Sequence, residues 1–424
     1  MDYNQAISYI HSLNKFGIKP GLQRITALLN ALGNPQNGLN IVHVAGTNGK
    51  GSTSTAISNV LIADGKKTGL FISPYVIQFE ERIQINGQYI PKDDLASLTN
   101  MVAQKVPQVE AALDDNITEF EFITALAFLY FSNQKCDAVV LEVGLGGRLD
   151  STNVIDKPLA SVITKIALDH TAILGNTVGE IAAEKSGIIK CGCPVITSSL
   201  QNGEAAEVIV KTASSKNAPI HIANVDDVIN LDVKPFGSSF NYNGLNISVP
   251  LSGRHQVENM VTAAKTALVL GVSPKSIEKG IAATVFPARL EVISKDPLVI
   301  LDGAHNENGA DVLAQYLDEN KLNPVMLIGM MADKNCDAVL EKLASRAKQV
   351  VTVKVLGNPR AQTAQNLANQ AKQYCGNVIS APDYETALKR AGECALANNT
   401  PLVICGSLYL ASDIRNSAIN YFKK

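Results

Sequence analysis

The sequence predicts an α/β protein of two domains, the first built on a mainly parallel sheet and the second smaller. Three observations predict it. Short β-branched runs alternate with helix-like segments through residues 39–200 and again beyond 295, the pattern that lays helices on a parallel sheet. The chain has 424 residues, more than one hydrophobic core usually serves. A glycine-rich turn, GTNGKGST at 46–53, joins an apolar strand to a helix.

The elements follow in order. MDYNQAISYIHSLNKFG forms an amphipathic helix with Tyr3, Ile7, Ile10 and Leu13 near one stripe. It lacks the continuous apolar region of a signal peptide. LNIVHVA, KTGLFIS, DAVVLEVG, LASVIT and CPVIT read as strands, with helices at Lys50–Asp64 and Thr177–Gly187 between them. In SSFNYNGLNISVP an Asn-Gly pair separates two alternating runs, a hairpin signal that adds a small antiparallel patch. A helix follows from about Gln256 to Leu270. ATVFPARLEV has a proline and no clear period, and is taken as the connection between domains 1–286 and 287–424. Beyond it PLVILDG, NPVMLIG, QVVTVKVLG, GNVIS and PLVICGS are strands separated by Ala-rich helices. That block, about 135 residues, suits one compact domain.

Composition narrows the function. Apolar residues make up 46% and charged residues 18%, which suits a globular protein with a substantial core. A net charge of −2 supplies no field to draw nucleic acid or an anionic membrane. Tryptophan is absent, which argues against a base-stacking surface. No apolar run approaches the roughly 20 residues of a membrane span. Seven scattered cysteines include one C-x-C, Cys191 and Cys193, without a second close pair for zinc. Reduced thiols and a cytoplasmic location are expected.

The turn at 46–53 departs from the common phosphate-binding loop. There the lysine is followed at once by a hydroxyl residue; here Gly51 follows Lys50, and Ser52 comes one step late. The ingredients remain those of an anion site: glycines that admit backbone N–H groups, a helix N-terminus, a cation and a hydroxyl from Ser52 or Thr53. DAVVLE ends in Glu142 before VGLGG, placing a carboxylate at a strand end where a nucleotide site holds its metal. Asp169-His170 follows another strand on the same carboxyl side, where open α/β sheets bind ligands.

GTNGKGST, Ser73-Pro74, FEERI, LEVGLGGRLDSTN, LDH, EKSGI, GRHQ-x-x-N, LDGAHN and CGSLYL, in that order over residues 43–410, together resemble folylpolyglutamate synthase. This is the folate branch of the ATP-dependent Mur ligase superfamily, often bifunctional with dihydrofolate synthase. The resemblance implies a Mur-ligase-like, phosphate-loop domain followed by a Rossmann-like C-terminal domain. Gly49, Lys50, Gly51 and Ser52 would cradle the ATP phosphates. Ser73 and Glu142 would hold one magnesium ion, and His170 with Glu142 a second. Lys185 matches a lysine that this family carbamylates, turning a repelling ammonium into an anionic oxygen ligand. Read from the residues alone, Lys185 is an ordinary solvent-facing helix lysine. Asn259 and Arg289 match positions used for ATP, Asp302 falls on the nucleotide side and His305 near the incoming amino acid. Both domains would then serve one cleft, with closure excluding water.

The implied reaction adds L-glutamate to the terminal carboxylate of a reduced folate through an acyl phosphate, with Lys50, Lys185 and His305 as catalytic residues. Its partners are small molecules alone, and a monomer is expected. Four positions depart from the family pattern: Tyr75 for histidine, Glu80 for asparagine, Ala288 for glycine and Asn335 for aspartate. The first two bear on pterin or folate preference. GGRLD at 146–150 is intact as in bifunctional members, which leaves dihydropteroate open as a second acceptor. Two other readings compete. A cell-wall Mur ligase carries an additional N-terminal domain, for which the residues before the loop are too few. A non-catalytic nucleotide-binding module predicts the strict loop and no use for Arg289, Asp302 or His305.

Overall fold

The computed structural model describes residues 1–17 and 19–422. They form two compact units. The first comprises Met1–Leu231, Ser239–Val249 and Gln256–Thr284; the second comprises Asp232–Ser238, Pro250–His255 and the chain from Val285 onward.

The first unit holds an eight-stranded sheet of β1 (Ile41–Ala45), β2 (Thr68–Phe71), β3 (Ile83–Ile85), β4 (Gln88–Tyr89), β5 (Ala138–Glu142), β6 (Ala160–Ile163), β7 (Val195–Ser198) and β8 (Ile220–Ala223). Their order is β4-β3-β2-β5-β1-β6-β7-β8. The six strands from β2 to β8 in that order run parallel, and β3 and β4 are antiparallel additions. β1 is buried along its whole length, as expected of a strand covered on both faces. After β1 the chain crosses to β2 and returns through β5, then passes to β6 on the other side. The carboxyl ends of β5, β1 and β6 therefore lie side by side at a switch in strand order, the place where such sheets open a crevice. Register makes this concrete: Val44 pairs with Glu142 on one side and with Val162 on the other.

One face carries the long helix Glu119–Asn133, buried for nearly all its length, together with Tyr3–Ser12 and Lys92–Ala103. Thr118 caps the long helix by accepting from Glu121 N, and Glu121 returns the contact, the reciprocal capping box. The expected stripe of the first helix is partly right. Ile10 and Leu13 are buried, Tyr3 and Ile7 only partly.

A separate three-stranded sheet has the order β11-β10-β9, from β9 (Val228–Lys234), β10 (Gly237–Tyr242) and β11 (Leu245–Val249). Asn243 and Gly244 join the last two with φ of 46° and 81°, the paired left-handed conformations of a two-residue hairpin. The predicted patch is therefore present. A second hairpin, β3–β4, turns at Asn86-Gly87 with φ of 51° and 74°, on the same Asn-Gly signal.

The second unit has six strands, β12 (Glu291–Lys295), β13 (Leu298–Leu301), β14 (Val325–Ile328), β15 (Gln349–Thr352), β16 (Val378–Ser380) and β17 (Leu402–Cys405), ordered β12-β13-β17-β14-β15-β16. β12 pairs antiparallel with β13 and the others are parallel. β12 occupies the end of the stretch read as a connection. Its alternation was hidden because it is an edge strand with only Ile293 buried.

Candidate active site

The loop after β1 builds the site from the backbone outward. Gly46 and Gly49 have φ of 154° and 82°, conformations that side chains resist. Space excludes a side chain as well. A Cβ on Gly46 would lie 1.8 Å from Thr164 Oγ1, and one on Gly49 would lie 2.1 Å from Asn259 Oδ1. Gly49 caps the helix Lys50–Ala63, whose first N–H groups have no partner within the helix and carry its positive dipole end. Asn259, expected near ATP, thus packs directly against the glycine loop.

Two lysines meet on this loop. Lys50 Nζ donates to the carbonyls of Gly46 at 3.1 Å and Thr47 at 3.2 Å. Lys185 Nζ donates to the same Gly46 carbonyl at 2.8 Å. Lys185 is only 4% exposed, which overturns the solvent-facing reading of its helix position. Burial, with Lys50 nearby, pushes its ammonium down to a pKa of about 7. Gly46, Lys50 and Lys185 share a cleft of about 30 Å³ with Gly144, Gly146, Asp169 and His170.

Lys185 is placed by the GGRLD segment. A Cβ on Gly147 would sit 2.7 Å from the carbonyl of Glu184, and one on Gly187 would sit 2.4 Å from Arg148 Cα. The two backbones touch there, and Arg148 N donates to Glu184 O at 2.7 Å. Asp150 accepts from Leu145 N at 2.8 Å and from Thr152 N at 3.0 Å, fixing the glycine turn after β5. Thr152 Oγ1 donates to Asp150 at 2.5 Å and meets His43 Nε2 at 2.9 Å. Burial holds the His43 ring neutral, with its pKa pushed down to about 3. GGRLDSTN, a family motif in the sequence, thus has a structural task in the fold.

Glu142 is buried at the end of β5 and accepts from Ser73 N at 3.2 Å. The two residues expected to share a magnesium ion are therefore adjacent. Among the described residues no three His, Cys, Asp or Glu side chains gather as a metal group. A hard cation beside Glu142 would take the rest of its shell from water and phosphate oxygens, which is the habit of magnesium. His170 has φ of 48° and a half-exposed side chain at the rim of the cleft.

In the second unit Asp302 leaves β13 and organises its surroundings. Its oxygens accept from Leu290 N and Ala304 N, both at 2.8 Å. Burial raises its pKa while the Arg289 guanidinium opposes the shift. Ala288 and Leu290 flank Arg289 with φ of 53° and 49°, left-handed values rare outside glycine, so the position where the family has glycine keeps a glycine-like backbone. His305 Nδ1 lies 2.8 Å from the Gly303 carbonyl. A carbonyl only accepts, so Nδ1 carries the proton and Nε2 is the basic nitrogen of the neutral ring.

Residues 44–267 match the Mur ligase middle domain and residues 289–417 the dihydrofolate synthetase C-terminal domain. The folylpolyglutamate synthase of Lacticaseibacillus casei is 39% identical, with 99% of both chains covered. The chain belongs to the folylpolyglutamate synthase family of the Mur ligases. Another member of this family, the dihydrofolate synthase/folylpolyglutamate synthase of Bacillus subtilis, is 38% identical over 97% of this chain and 98% of its own. Among solved folylpolyglutamate synthases, that of Mycobacterium tuberculosis complexed with ADP and AMPPCP superposes with a TM-score of 0.88 at 29% identity, covering 98% of this chain and 99% of that one.

Proposed function

We propose that this protein is an ATP-dependent ligase that joins L-glutamate to the terminal carboxylate of a reduced folate in the cytoplasm. The observation that carries the reading is the convergence of Lys50 and buried Lys185 on the carbonyl of Gly46, inside a glycine loop shaped for phosphate. The names of the relatives supply the folate and the glutamate.

A carboxylate oxygen of the folate attacks the γ-phosphorus of ATP, and the bond to ADP breaks to leave an acyl phosphate. Lys50 and the N–H groups of Gly49, Lys50, Gly51 and Ser52 offset charge on the transferring group. Asn259, Arg289 and Asp302 serve the nucleotide. The amine of glutamate then attacks the acyl carbon, and inorganic phosphate leaves from the tetrahedral intermediate. The amine must shed a proton, and Nε2 of His305 accepts it.

Ser73 and Glu142, and Glu142 with His170, are the residues that would hold magnesium, which supplies charge neutralisation at the phosphates when bound. Lys185 fits a carbamate. Carbon dioxide reacts with a neutral amine, and burial supplies one near pH 7. With ¹³C-bicarbonate, a carbamate resonance is expected from the protein and not from Lys185→Arg.

Labelled glutamate offered with tetrahydrofolate or dihydropteroate, with ATP, tests the activity. A glutamylated tetrahydrofolate with stoichiometric phosphate release is expected. Product from dihydropteroate as well would establish the second activity. ATP turnover indifferent to both acceptors would overturn the ligase reading in favour of a nucleotide-binding module.

A further inference from the structure

The phosphate loop is held by a segment that no substrate assignment covers. Lys165 O, just beyond β6, accepts from Thr47 N at 3.0 Å and from Asn48 N at 3.3 Å. Thr164 Oγ1 donates to Asn48 O at 2.8 Å. Thr47 Oγ1 donates to Ala167 O at 3.0 Å and accepts from Ala167 N at 3.1 Å. The N–H groups of Thr47 and Asn48 and the carbonyl of Asn48 are thus committed to residues 164–165, while the Thr47 carbonyl accepts from Lys50 Nζ. That leaves the first-turn N–H groups of Lys50, Gly51 and Ser52 for an anion.

Residues 163–166 are in turn fastened by one side chain. Gln201, three residues past β7, donates through Nε2 to Thr164 O at 2.9 Å and to Thr197 Oγ1 at 3.1 Å. Its Oε1 accepts from Ile166 N at 3.0 Å. A planar amide with donor and acceptor both engaged fixes its own rotamer and the turn it spans. Gln201 does not line the cleft.

We infer that Gln201 is a positioning residue for the nucleotide, holding the phosphate loop in its anion-binding form through the hydroxyl of Thr164 and the carbonyl of Lys165. The inference rests on that loop being the ATP site. Partners one step removed from a ligand commonly change affinity by roughly 10-fold or more when lost.

The experiment measures ADP affinity by calorimetry, and KM for ATP and for glutamate, on the full chain. The variants are Gln201→Met, Thr164→Val, Thr164→Ser and Lys50→Ala. Gln201→Met and Thr164→Val are expected to weaken ADP and raise the ATP KM by roughly 10-fold, with the glutamate KM unchanged. Thr164→Ser, which keeps the hydroxyl, is expected to restore wild-type values. If Lys50→Ala loses ADP while Gln201→Met binds it like wild type, the positioning role is wrong. If Lys50→Ala also binds ADP normally, the phosphate-loop reading itself fails. Should Gln201→Met not fold, the Thr164 pair decides, and equal ADP affinity for Val and Ser overturns the inference. A uniform fall in kcat with neither KM altered overturns it too, since that marks general destabilisation.

Discussion

Lys185 and Gly46, 139 residues apart in sequence, are joined by a hydrogen bond of 2.8 Å from Nζ to the carbonyl of the glycine loop after β1. A buried amine in that position ties the charge of the site to the pH of the solution.

In the bicarbonate-free protein the Lys185 amine has a pKa of about 7 when folded and 10.5 when unfolded. Between those values the unfolded chain binds more protons, so stability rises with pH across that window. Below it, the fold carries the cost of a buried ammonium. Lys185→Met is expected to melt above wild type at pH 6, with the gap shrinking from pH 7 towards pH 10. A gap independent of pH would show that Lys185 is not desolvated in the fold.

Gly49→Ala places a Cβ 2.1 Å from Asn259 Oδ1 on a backbone with φ of 82°. The left-handed conformation alone costs about 1–2 kcal/mol. Nucleotide affinity is expected to fall by at least the corresponding factor, roughly 10-fold, while circular dichroism stays native. Unchanged ADP binding would mean the loop does not contact phosphate.

Glu142→Gln keeps the size of the side chain and an acceptor for Ser73 N, but removes the charge. Magnesium-dependent turnover is expected to fall on the order of 100-fold, with ADP binding in chelator unaltered. Equal loss in both assays would make Glu142 a structural residue.

His305→Ala is expected to lower glutamate turnover by about 100-fold or more if Nε2 takes the amine proton. Formation of acyl phosphate, trapped with hydroxylamine in place of glutamate, should persist. Full glutamate turnover in the variant would remove the base from this position.

The alternating runs, the two-domain order and the glycine loop were legible in the residues because each depends on local rules. Side-chain period, the left-handed freedom of Gly46 and Gly49, and the Asn243-Gly244 turn act within a few residues. The same locality explains what escaped. β12 is an edge strand whose partner decides it, and Gln201 is one glutamine among many until its partners, Thr164, Thr197 and Ile166, are known. Tertiary structure alone inserted β5 between β2 and β1, which sets Glu142 beside Ser73, 69 residues away. It alone buried Lys185. Desolvation belongs to the neighbours that displace water, and no pattern within EKSGI records which face of its helix they cover.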